Sequence, residues 1–580
     1  MLRRAAALLQ AGRAAEAEAL AAPLVEASPR DADALHVLAI AVHLQRRPER
    51  AVPLLVRATE LRPGDATLWN SLGNARRLAG DASGAERCFQ RSLELDPEAA
   101  ATWYNLGHLR QLRGEPGAAV APLRRAVELA PEGFDAALAL GTALLRSGAG
   151  DEAAEAEAAE WFEAAHHLAP ERPEPLNNLA AVHAARGDTE AALAAFRRAV
   201  TLDPGHLHAN VNLGEIHGGR GEVGQAAEAY RRASRHGGSG GSRLRLNLAL
   251  TLLQAGCFGE AWEAYESRFT ATGPPRRPTW NMPRWDGSPL DGRRLLITDE
   301  QGLGDMIQFC RYATLVAEAG GEPWVEARRP VAPLLATCPG VAGVVPSRYD
   351  PDTDTDTDSD ASPEDGGVAA EGADPSRFDL HIPVLSLPGV FDTDLATIPA
   401  GVPYLSPAAE PRPAARELLR ATAGDARRVG LVWAGSPQNP GDEARSCGLA
   451  AMAPLAEVPG VRLYNLLHGE RGRDVEDHPE LGLVDLAPHL GDFHETAAVV
   501  RELDLVITVD TSMAHLAGAL GQPVWTLLSF VPDWRWLMDR DDSPWYPTMR
   551  LFRQRAAGDW EGLMERVAVA LEESAGDPTR

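Results

Sequence analysis

The stretch RRLLITDEQGLGDMIQFCRY, Arg293–Tyr312, is where the chain changes architecture. Leu295 to Thr298 are apolar or β-branched and read as a short buried strand. Gly302 and Gly304 break that element, and an apolar helical pattern resumes from Met306. Strand, tight turn and helix in this order make one βα unit. Glycine suits the turn because a sharp bend and a ligand close to the backbone both disfavour a Cβ. Three carboxylates, Asp299, Glu300 and Asp305, lie within it.

Downstream the texture persists. RRLLIT, EPWVEA, VAGVVP and FDLHIP, then RVGLVW, RLYNLL, GLVDLA, LDLVITV and PVWTLL, alternate with helical stretches. Such alternation predicts parallel sheets in two doubly wound α/β domains, placed at 273–415 and 416–580. The Pro/Ala-rich SPAAEPRPAARE, Ser406–Glu417, reads as their connection. An acidic segment, 350–374, holds DTDTDTDSD and almost no apolar residue, which predicts a disordered insertion. It lacks the glycine and glutamate positions of a calcium loop.

Upstream, prolines keep a period. Pro29, Pro63, Pro97 and Pro131 are spaced by 34, Pro170 follows after 39, and Pro204 after 34 again. Trp69, Leu72, Gly73, Ala85 and Phe89 recur as Trp103, Leu106, Gly107, Ala119 and Leu123. This pattern resembles the tetratricopeptide repeat, a helix–turn–helix in which small residues admit close approach and proline ends the second helix. Seven to eight units fill 1–272, and the extra residues before Pro170 are expected to lengthen a helix. The repeats predict an all-α superhelix. Asn105, Asn178, Asn212 and Asn247 recur at one position of the first helix. A column of amides there is a candidate groove for an extended polypeptide, although asparagine is also simply common at that position.

A formal net charge of −26 with dispersed arginines argues against a nucleic-acid partner. The five cysteines are scattered and suggest neither a disulfide framework nor a zinc site. No apolar run approaches the ~18 residues of a membrane span. The N-terminal MLRRAAALLQAGR runs straight into the first repeat, so a cytoplasmic protein without a signal peptide is expected.

Three templates bear on the glycine turn. No Gly-Lys-Ser/Thr follows, which excludes a P-loop. A dinucleotide fingerprint fits Gly302 and Gly304 but meets Ile307 in place of a third glycine, with Glu326 as the candidate ribose-binding acid. The third template rests on a second constellation, LDLVITVDTSMAHLAGALGQPVWTLL, Leu503–Leu528. Its turn Asp510-Thr511-Ser512 opens a helix carrying His515, and a helix start with added hydroxyls suits a diphosphate.

Together, Gly304-Asp305 and the Asp-Thr-x-x-x-His-Leu-Ala run resemble the heptosyltransferase-like glycosyltransferases of family nine. Arg445-Ser446 matches a basic donor-phosphate position of that family. The C-terminal LMDRDDSPWYPTMRLFRQ is similar to bacterial proteins that fuse repeats to such a transferase. Leu467 and the weakly basic NPGDEARS depart from the pattern. The resemblance implies a GT-B fold and transfer from a nucleotide-diphosphate sugar co-substrate to a hydroxyl, inverting, with no metal or other cofactor. It implies Asp305 as base, Glu300 as second candidate, and His515 near the phosphate or the acceptor. Gly302, Gly304, Arg445, Ser446, Asp510, Thr511, Ser512, Glu495 and Thr496 are the expected donor-side residues. The fusion also resembles O-linked N-acetylglucosamine transferases, which implies a protein acceptor held by the repeats. A glycan or lipid acceptor, and a non-enzymatic scaffold with a degenerate transferase domain, are the alternatives.

Overall fold

In the computed structural model, which describes residues 1–236, 241–271, 280–347, 375–407, 410–439 and 441–575, helix pairs give way to parallel strands. The helices run as antiparallel pairs from Leu2–Gln10 with Ala14–Ala27 to Ser242–Gln254 with Phe258–Tyr265, eight pairs among the described residues. Local chemistry sets their ends. Asp31, Asp65, Asp81, Asp151 and Asp188 accept hydrogen bonds from backbone N–H groups of the helices they open. Packing explains the repeated small residue. A Cβ at Gly73 would lie 2.4 Å from the Phe89 ring, and one at Gly107 2.5 Å from Leu123. The helix Glu152–Leu168 takes 17 residues where Pro116–Leu129 takes 14, so three of the five additional residues lengthen it.

The chain packs as two compact units, Met1–Leu213 and Gly214–Arg580. The expected domain boundary at 272/273 lies outside the described residues, as does the acidic segment 350–374. The last helix pairs pack with the α/β elements and not with the earlier repeats alone, because their buried faces are aromatic. Phe258, Trp262 and Tyr265 are 1%, 6% and 2% exposed and meet the rings of Trp534 and Trp545, with Trp262 against Trp534 at 5.8 Å.

Two all-parallel sheets complete the second unit. The first holds β1 (Arg294–Thr298), β2 (Glu322–Ala327), β3 (Gly343–Pro346) and β4 (Leu380–Pro383) in the order β3-β2-β1-β4. The second holds β5 (Arg427–Val432), β6 (Val461–Asn465), β7 (Val484–Asp485), β8 (Leu505–Val509), β9 (Val524–Leu528) and β10 (Met549–Arg553), ordered β10-β9-β8-β5-β6-β7. Central strands β1 and β8 are almost wholly buried, as near-continuous apolar runs require. Strand order reverses between β1 and β4 and between β5 and β8. Crevices beyond the carboxyl ends of such neighbours are where doubly wound sheets take ligands. Among the described residues no helix is long and apolar enough to cross a membrane.

Candidate active site

Both quoted turns emerge at a reversal point, one after β1 and one after β8, and they meet. A Cβ on Gly304 would lie 2.8 Å from Cδ2 of His515 and 3.3 Å from the Ser512 Cα. Glycine at 304 is thus a condition for the two helix starts, Leu303–Phe309 and Ser512–Ala519, to touch. Gly304→Ala is expected to lose about 1–3 kcal/mol by overpacking this seam, read by urea unfolding of the full chain.

The first turn is held from several sides. Gln301 adopts φ +59°, a left-handed conformation that a side chain rarely takes, and Arg328 Nη2 donates to its carbonyl at 2.8 Å. Gln301 Nε2 also donates to the Tyr265 hydroxyl at 3.3 Å. Glu300 is 7% exposed, and Arg268 grips both its oxygens, Nε to Oε1 at 2.6 Å and Nη2 to Oε2 at 3.1 Å. Asp305 accepts the Gly302 N–H on Oδ2 at 2.7 Å and an Arg535 Nη2 bond on Oδ1. Burial raises the Asp305 carboxyl above its ordinary range, and Arg535 opposes the rise.

At the second turn Thr511 caps its helix, its Oγ1 accepting the Met513 N–H at 3.3 Å. His515 is 5% exposed, shares a hydrogen bond of 3.0 Å between Nδ1 and the Tyr546 hydroxyl, and stacks on Trp536 at 5.2 Å. Burial, with Arg535, Arg311 and Arg445 nearby, pushes its imidazole well below the usual pKa, so it is neutral. Asp510 is pushed up to about 6 by burial and then by Asp533, with Arg445 and Arg535 pulling the other way. Arg445 therefore stands close enough to Asp510 and His515 for its charge to act on both.

The neighbouring Gly435 loop is pinned by Ser446. Its Oγ accepts the Gly435 N–H at 3.0 Å and donates to Asp442 at 3.0 Å, which is a structural use of that hydroxyl. Asp442 also pairs with Arg471. Glu495 stands in the helix Phe493–Arg501 and pairs with Arg412 at 2.5 Å, and Thr496 is buried there. Neither is hydrogen-bonded to the Asp510–Ser512 turn. The asparagines divide between the units. Asn105 donates to Asn70 at 2.8 Å, and Asn178 donates to Thr142 at 3.5 Å, so these amides already have partners that a peptide would replace. Asn212 lies in the first unit and Asn247 in the second, where Asn247 hydrogen-bonds Tyr230.

The structure thus brings Gly304, Asp305, Asp510, Ser512, His515 and Arg445 near one another, while Glu300 pairs with Arg268, Ser446 with the Gly435 loop and Asp442, and Glu495 with Arg412. Reading the sequence missed Arg535, Asp533 and Trp536. The signal was present in PDWRW, Pro532–Trp536: charges set between tryptophans just past the end of β9.

Known families match both parts of the chain. The family described as glycosyltransferase family 9 (heptosyltransferase) matches residues 469–533, which include the Asp510–His515 turn. Tetratricopeptide repeat families match 2–66, 44–100, 70–131, 104–165 and 211–275, and also 173–206. Protein FlbA of Caulobacter vibrioides is 28% identical over 446 residues, covering 73% of this chain and 70% of that one. Among solved structures, YrrB, a TPR protein with an unusual peptide-binding site, is 25% identical, covering 33% of this chain and 95% of that chain at a TM-score of 0.29. Pseudomonas aeruginosa PilF is 18% identical, covering 37% and 95% at a TM-score of 0.33. The chain carries tetratricopeptide repeats across its N-terminal region and a glycosyltransferase family 9 segment in its C-terminal sheet.

Proposed function

We propose that this protein transfers a sugar from a nucleotide-diphosphate donor to an acceptor hydroxyl, with inversion, on a polypeptide delivered by the repeats. The observation that supports this reading is the contact of the two strand-end turns, Gly304 against His515 and Ser512, which brings the Asp305 turn up to the Ser512–Ala519 helix start. Transfer needs a base for the acceptor proton and a cationic cradle for the departing diphosphate. Asp305 is the base. Its raised pKa makes it a better proton acceptor than an exposed aspartate, and the Arg535 guanidinium beside it favours the carboxylate form. The N–H groups at the start of the Ser512–Ala519 helix and the Arg445 guanidinium stabilise the diphosphate, so the reaction calls on no metal or other cofactor. His515, neutral and fixed by Tyr546, offers its remaining ring nitrogen as a hydrogen-bonding group to donor or acceptor. The acceptor assignment is supported by the polar face of the first-unit repeats, where His36–Ser71 and Asn70–Asn105 bonds form exchangeable pairs.

Thermal melting against ADP, UDP, GDP and dTDP tests the donor site. A nucleotide present at 100 times its dissociation constant is expected to stabilise the fold by about 2.7 kcal/mol, and Arg445→Ala to weaken that shift. No shift with any nucleotide in folded protein would sink the transferase reading in favour of a repeat scaffold.

A further inference from the structure

The carboxylate assigned as base is not positioned by its own loop alone. Arg535, just past β9, reaches the turn that follows β1. Its Nη2 donates to Asp305 Oδ1, its Nη1 to Asp533 Oδ1 at 2.7 Å, and its Nε to Gln308 Oε1 at 2.9 Å. The Trp534 ring covers its face at 4.5 Å, and only 6% of the residue is exposed. A guanidinium so desolvated is tolerable only where several donors of its planar fork are matched, as here. With the Gly302 N–H on Oδ2 at 2.7 Å, the two bonds fix the plane of the Asp305 carboxylate and leave each oxygen a free lone pair.

We propose that Arg535 is a positioning residue of the transfer reaction, aiming the Asp305 carboxylate at the acceptor hydroxyl. The inference rests on Asp305 being the base. In the step it serves, the acceptor oxygen bonds to the anomeric carbon as the bond from that carbon to the diphosphate oxygen breaks. The electron pair leaves with the diphosphate and the acceptor proton passes to Asp305. Arg535 forms and breaks no covalent bond.

The charges that face Asp305 come from every neighbouring element. Burial raises its carboxyl, Arg535 lowers it, and Asp533 and Glu300 raise it further. Glu300 is paired with Arg268. His515 is neutral, and the Tyr265 hydroxyl, pushed up to about 12 by burial, stays protonated. Arg535 is thus the cation in contact with the base.

The test melts the full chain between pH 5 and 8 as wild type, Arg535→Gln, Arg535→Lys, and each with Asp305→Asn added. Removing an opposite charge in contact raises a carboxyl by about one to three pH units. A carboxyl whose folded pKa is raised costs stability as pH climbs through that value. Arg535→Gln should therefore lose Tm with rising pH more steeply than wild type. Arg535→Lys should lose it by an intermediate amount, and Asp305→Asn should shrink both excesses, the remainder belonging to Asp510, which Arg535 also lowers. An excess slope undiminished by Asp305→Asn, or no excess in either variant, overturns the proposal. The lysine pair carries the test if the glutamine variant does not fold. With whichever of the ADP, UDP, GDP or dTDP sugars the wild type turns over, Arg535→Gln should move the acid limb of kcat upward by about one to three pH units at unchanged KM. A higher KM with an unmoved limb would make Arg535 a donor-binding residue instead. Failure of all those sugars in wild type counts against the transferase reading, whereas the melting cycle reads the Arg535–Asp305 pair without any substrate.

Discussion

Asp305→Asn is expected to cut transfer by about two to four orders of magnitude while nucleotide binding persists, because it removes a general base and little else. The substitution is close to isosteric. An Asn oxygen still accepts from Gly302 or Arg535, and Arg535 keeps Asp533 and Gln308 as partners. Product formation from the stabilising nucleotide sugar reads the rate, and a nucleotide-dependent Tm shift in the same preparation reads binding. Transfer at the wild-type rate would remove Asp305 from the chemistry. Glu300, the other candidate base, should behave differently. Both its oxygens are occupied by a buried arginine, so Glu300→Gln leaves Arg268 short of its counter-charge. Breaking a buried pair from one side costs about 3–5 kcal/mol, which predicts a loss of stability in place of a selective loss of rate.

The difference between these two acids could not be read from the sequence, where both stand in one glycine turn. What separates them is Arg268, thirty-two positions from Glu300, and Arg535, 230 positions from Asp305. Pairings across such distances leave no local period or spacing. The elements themselves were legible. Nine of the strands follow from short Val/Leu runs, and the repeats from a 34-residue proline spacing. Strand β10, Met549–Arg553, escaped because MRLFR carries two arginines in five residues, Arg550 and Arg553, and stands at a sheet edge, where burial does not demand a continuous apolar run. The turn residues Gly304 and His515 were legible as chemistry but not as neighbours. Their contact depends on how one sheet is set against the other. At Ser446, expected on the donor side, the hydroxyl also closes the loop beside it, a second use that the sequence does not show.

The largest stability effect should come from the last repeat, whose helices read as part of the repeat array but pack as part of the transferase. Phe258, Trp262 and Tyr265 form ring contacts with Trp534 and Trp545, and Trp262 Nε1 donates to the Thr393 carbonyl at 2.7 Å. Gln254 Nε2 donates to the Pro532 carbonyl at 2.8 Å, three residues before Arg535. Arg268 and Tyr265 brace Glu300 and Gln301 in the other turn. One helix pair therefore supports both halves of the candidate site. Trp262→Ala should cost about 3–5 kcal/mol by opening a large apolar cavity and leaving the Thr393 carbonyl without its donor. A fragment beginning at 273 removes the whole face at once. It should fail to give a cooperative melt, whereas a fragment beginning at 214, where the compact unit starts, should melt cooperatively and keep its nucleotide-dependent shift. A folded, nucleotide-binding 273–580 fragment would show that the repeat only rests against the sheets. If the two fragments behave as expected, any partner that displaces the last helix pair acts directly on the turns that hold Asp305 and Arg535. Occupancy of the repeats and the rate of transfer would then be linked through a packed aromatic face, with no need for a separate signalling element.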